Sequence, residues 1–87
     1  MPIIATLNNW DLADLFVTVI DLNLPGTILD NVRINEGQSI QIGVQPNRNG
    51  TGDITWQVQR VDEPDVTAER TVEVTAASTI NVTANFG

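Results

Sequence analysis

The sequence predicts an all-β fold: about seven antiparallel strands in a two-sheet sandwich, immunoglobulin-like or similar, with a small barrel as the alternative. Two observations carry this. From Ser39 to Phe86, apolar and polar residues alternate: Ile40, Ile42 and Val44, then Ile54, Trp56 and Val58, then Ile80, Val82, Ala84 and Phe86. A period of two places one face of each strand in a core and the other toward water. Turn-forming residues also recur roughly every 8–12 positions, the spacing of a sandwich or barrel. The length of 87 residues fits one domain over 1–87.

The first expected strand is Pro2–Leu7, with Pro2 tolerated at a strand start or edge. Asn8–Ala13 follows as a turn or a single helical turn that Asn9 caps. Strand two, Asp14–Asn23, is apolar on both faces, which predicts a central strand or one whose outer face meets a partner. Pro25-Gly26 reads as a type II turn. Strand three is Thr27–Ile34, with a bulge expected at Asp30-Asn31. Asn35-Glu36-Gly37-Gln38 reads as a hairpin turn in which Gly supplies a positive φ. Strand four is Ser39–Gln45, followed by the long polar loop Pro46–Asp53. Strands five, six and seven are Ile54–Val61, Thr67–Thr75 and Thr79–Phe86. The acidic turn at Asp62–Asp65 and the short link Ala76-Ala77-Ser78 join them. No internal repeat or linker is visible.

Composition narrows the function. The chain has no Cys and no His. Disulfides and metal sites built on thiolate or imidazole are therefore excluded, as are the usual general base and best nucleophile. The expectation is a protein that is not an enzyme and has no cofactor, with an oxygen-ligand Ca²⁺ site the metal chemistry left open. A net charge of -7 argues against nucleic acid and against electrostatic attraction to anionic lipid. Glycans and protein surfaces remain as partners. A core this small also makes a homo-oligomer a reasonable expectation. Met1–Leu7 lacks a basic n-region, so the chain reads as cytoplasmic or exported without an N-terminal signal peptide.

Four groups of residues stand out. Asn47, Asn49, Thr51 and Asp53 place oxygens at alternate positions of one loop, a pattern that can turn them on a hard cation; an ordinary turn explains the same residues. Asp62, Glu63 and Asp65 crowd one exposed turn and read as solvated carboxylates rather than an acid–base pair. The outward positions of strands five to seven are Thr55, Gln57, Gln59, Thr71, Glu73, Thr75, Thr79, Asn81, Thr83 and Asn85, rich in Thr, Asn and Gln and poor in charge. Such a neutral hydrogen-bonding face suits glycan hydroxyls or burial against another subunit. Trp56 falls in register with the core. Trp10 follows strand one and is either a stacking or contact residue or a cover for the end of the sandwich.

The stretch Thr51-Gly52-Asp53-Ile54-Thr55-Trp56-Gln57-Val58-Gln59-Arg60 resembles the tryptophan-rich segment of cholesterol-dependent cytolysins. The likeness runs on through Glu69-Arg70-Thr71-Val72-Glu73-Val74, and Thr79-Ile80 stands near that family's Thr-Leu sterol-recognising pair. It covers about the last third of the chain. The resemblance implies a small β-sandwich with a binding tip. The family's Cys is missing, and Val58 and Gln59 replace its second and third Trp, so the aromatics that enter the bilayer are not here.

The reading is a non-catalytic binding module for a glycan or a protein surface, acting through the neutral face or a loop tip. The alternative is an assembly protein that oligomerises through that face or strand two.

Overall fold

The computed structural model describes residues 2–24 and 26–84. Seven strands are present: β1 (Ile3–Asn9), β2 (Leu15–Asp21), β3 (Gly26–Ile34), β4 (Ser39–Val44), β5 (Gly52–Arg60), β6 (Thr67–Val74) and β7 (Thr79–Val82). They form a four-stranded sheet in the order β3-β2-β5-β6 and a three-stranded sheet in the order β4-β1-β7. The two layers do not close into a barrel. The arrangement is a sandwich whose inner faces meet over one core of alternating strand residues, with Leu7, Leu15, Val17, Val19, Ile54 and Trp56 fully buried. The immunoglobulin grouping, which puts the first, second, fourth and fifth strands in one sheet, is not the grouping here.

The alternation is legible in the burial of the inner strands: β1, β2 and β5 bury every second side chain, whereas the edge strands β3 and β6 are mostly exposed. β2 is central, between β3 and β5, as its apolar character predicted. The bulge in β3 is also present. Val17 and Val19 face Val32 and Leu29, so Asp30 and Asn31 are accommodated by a register shift, with Asn31 at φ 53. The Thr18 hydroxyl accepts the Asn31 N–H at 3.1 Å and holds the bulge.

Four expectations are corrected. Not every pairing is antiparallel: β1 runs parallel to β7. Asn35–Gln38 is a tight turn with Gly37 at φ 76, but it is no hairpin, because β3 and β4 lie in different sheets. Gly26 opens β3 without a positive φ, and Pro25 lies outside the described residues. Asn8 and Asn9 belong to β1 and no helical turn follows; Asn9 instead accepts the Asp11 N–H and donates to Ala13 O and Ile34 O. β7 ends at Val82 among the described residues, and Asn85 and Phe86 lie outside them.

The topology contains a repeat that the residues hide. Leu7 pairs with Ile40 on one side and Ile80 on the other, forty positions apart. β1 is antiparallel to β4 and parallel to β7, so the two flanking strands run in opposite directions. In the other sheet β2 and β5 pair antiparallel at the centre, with β3 and β6 outside them. The units β2-β3-β4 and β5-β6-β7 are thus related by an approximate two-fold axis, and β1 fills the gap between their last strands. Both units cross between sheets on a four-residue turn: Gln38 N–H donates to Asn35 O at 2.9 Å, and Ser78 N–H to Thr75 O at 3.2 Å.

Candidate functional site

Residue parity fixes which side chains leave the core, and pairing fixes which of them meet. On the outer face of the four-stranded sheet, Phe16 lies between Arg33 and Gln59, and Gln59 faces Thr67. One row further on, Thr18 faces Gln57, and Gln57 faces Glu69. Ile20, Thr55 and Thr71 form the next row. Phe16, Gln59 and Thr67 of the first row, Thr18, Gln57 and Glu69 of the second, and the bulge residue Asn31 line a trough of about 460 Å³.

The trough is polar but nearly uncharged. Gln57 Nε2 donates to Glu69 Oε2 at 2.9 Å, and Gln59 Nε2 donates to Pro64 O at 3.0 Å. Both amides are held by their nitrogens, and both keep an acceptor oxygen. Thr55 and Thr71 share a hydroxyl hydrogen bond at 2.9 Å. Phe16 is half-buried and supplies an aromatic surface beside these groups. Glu69 is the one carboxylate in the lining, so no acid–base pair spans the trough.

The sequence-predicted residues divide among four places. Gln57 and Gln59 line the trough, and Thr55 shares its face. Thr79 and Asn81 belong to the other sheet and face outward there, with Thr83 just beyond the end of β7. The single neutral face expected of strands five to seven is therefore two surfaces. Thr79, Asn81 and Thr83 rim a cleft of about 310 Å³ on the open side between β6 and β7, above Trp56, Val72 and Ile80. Phe16, Thr18 and Asn31 were not among the sequence candidates. The in-out register of β2 could have found Phe16 and Thr18, because Leu15, Val17 and Val19 point inward.

Trp10 stands at one end of the sandwich, outside the trough, and is 67% exposed; Leu12 beside it is 85% exposed. The loop carrying them is pinned. The buried Asp11 carboxylate accepts from Arg60 Nη2 at 2.7 Å, Leu12 N at 2.7 Å and Ala84 N at 3.0 Å. The Arg60 guanidinium, against the opposing cost of burial, holds the Asp11 carboxyl below its ordinary range. The Glu36 N–H and then Arg33 do the same for Asp14. Glu63 joins Arg60 at 3.3 Å from the exposed acidic turn.

No family model matches the chain, and neither a curated protein nor a solved structure does. The segment that resembles the cytolysin motif is strand β5, with Trp56 1% exposed in the core.

The loop proposed for calcium lies at the far end. Asn47 Oδ1 accepts the N–H groups of Asn49 at 2.8 Å and Thr51 at 3.2 Å. Asn47 Nδ2 donates to Thr51 Oγ1 and to Asp53 Oδ2. These groups bond to one another around an Asx-type turn. Nearby, the buried Asp21 carboxylate accepts from Asn23 N at 3.0 Å and Gln45 N at 2.8 Å.

Proposed function

We propose that this protein is a non-catalytic binding module that takes a neutral glycan in the trough of the four-stranded sheet. One observation carries the reading: a concave surface that holds the Phe16 ring beside amides, hydroxyls and a single carboxylate, several of them held in place by the fold. Sugars present hydroxyls that donate to the Gln57 and Gln59 oxygens and apolar faces that pack on Phe16. A ligand site is typically concave with few placed polar groups. Preorganised side chains also reduce the ordering cost of binding. The single carboxylate argues for recognition without turnover.

A glycan array followed by calorimetry on the best ligand tests this. Phe16→Ala and Gln57→Ala should each weaken binding by about tenfold or more, which corresponds to losing one good contact. Trp10→Ala, away from the trough, should leave affinity unchanged. An empty array, or a ligand insensitive to both trough substitutions, overturns the reading.

A further inference from the structure

The three-stranded sheet is free of charge. The chain has eleven acidic residues and four arginines, and none lies in β1, β4 or β7. Its outward positions are Ile4, Thr6 and Asn8 on β1, with Ser39, Gln41 and Gly43 on β4 and Thr79 and Asn81 on β7 completing the layer. Exposed strands ordinarily carry charges that discourage association. In a protein of net charge -7, a whole sheet without one is a marked segregation.

We propose that this face is a self-association surface whose occupant is a second copy of the chain, related by a two-fold axis. Like-charged copies repel, and the cost is least where neither contributes a carboxylate to the contact. Ile4 is 49% exposed and stands at the wall of a hollow of about 510 Å³ lined also by Pro2, Thr6, Gln41, Ala76 and Ala77. A two-fold contact presents each protrusion to its partner's hollow, so one residue serves as knob and wall. Three strands about 4.8 Å apart and about six residues long, at about 3.3 Å per residue, cover a patch near 14 by 20 Å. Such a contact buries on the order of 600 Å² in total, below a standard specific interface and in the range of weak, transient ones. The dimer is therefore concentration-dependent. It leaves the trough open on the opposite face, and it does not depend on what the trough binds.

Size-exclusion chromatography with light scattering, from micromolar to millimolar protein, tests the proposal. The mass should rise toward that of a dimer. Ile4→Lys and Asn81→Lys should each raise the dissociation constant by about tenfold or more, since each places like charges across the axis. Gln57→Lys, on the other sheet, should leave dimerisation unchanged. Thermal melts establish that each variant is folded, and Asn81→Lys keeps the test valid if Ile4→Lys is not. A monomer at every concentration overturns the proposal, as does a dimer broken by Gln57→Lys and indifferent to the other two. A monomer that floats with phosphatidylcholine vesicles through Ile4 would replace it with a membrane surface.

Discussion

Arg60 closes a two-point ion pair on Asp11 across 49 positions of sequence, with Nη2 2.7 Å from Oδ1 and Nε 3.2 Å from Oδ2. The pair ties the end of β5 to the loop after β1. Leu12 N and Ala84 N donate to the same carboxylate, so one buried side chain fixes three segments. That is why Trp10 and Leu12 can be exposed on an ordered backbone.

Removing this carboxylate should be costly. Asp11→Ala leaves two backbone N–H groups without their acceptor and Arg60 with Glu63 alone, and the expected loss is about 1–3 kcal/mol. Urea denaturation would measure it. The pH dependence has a definite sign. Because the folded carboxyl lies below its ordinary value of 3.8, its stabilisation is complete above that value and is lost as pH falls through the lower folded value. Asp14 acts in the same direction. The wild type should lose stability steeply below about pH 4, and Asp11→Ala should lose less over that interval.

Gly52 opens β5 at a point where the backbone meets the other sheet. A Cβ there would overlap Val44 Cγ1 and stand 3.6 Å from Ile3 Cδ1. Gly52→Ala should therefore force the core apart and cost about 1–3 kcal/mol. An unchanged denaturation midpoint would mean that Val44 can turn away freely.

Much of the fold was legible in the sequence because the inner strands β1, β2 and β5 bury one face, and a period of two survives in their residues. Val17 and Ile54 show it without any knowledge of their neighbours. Pairing was not legible in the same way. Parity tells that Thr55 and Asn81 both face water, but not that β5 and β7 belong to different sheets. The trough was half legible for that reason: Gln57 and Gln59 were visible, and the parity of β2 turns Phe16 outward, but that Phe16 lies beside Gln59 follows only from the pairing of β2 with β5. The loop oxygens of Asn47 and Thr51 suggested a cation because spacing does not reveal that they satisfy each other.

The two tryptophans should report separately. Trp10 is exposed and Trp56 is buried, so emission should contain a red, quencher-accessible component and a blue, protected one. Trp10→Ala should remove the red component with stability changed by less than about 0.5 kcal/mol, as for an exposed site. Trp56→Ala should cost about 3–5 kcal/mol. Equal quenching of both by acrylamide in the folded protein would contradict the burial of Trp56.

The approximate two-fold axis yields the sharpest paired prediction. Gly37 and Ala77 occupy equivalent places, the third residue of each turn that crosses between sheets, at φ 76 and 60. Gly reaches this conformation freely, whereas an L-residue with a Cβ is penalised by about 1–2 kcal/mol. Ala77 bears that penalty because its turn is held from outside: its N–H donates to Ile4 O at 3.0 Å, and the Ser78 hydroxyl donates to Thr75 O at 2.7 Å. Ala77→Gly should thus stabilise the protein, by about 0.5–1 kcal/mol once the greater freedom of Gly in the unfolded chain is subtracted. Gly37→Ala should destabilise it by a similar amount, since nothing lies within 4 Å of the added Cβ and only the backbone resists. The changes should appear as shifts of the urea midpoint in opposite directions with unchanged slope. If both substitutions shift it the same way, the two turns are not conformational equivalents, and the relation between the halves does not extend to their crossovers.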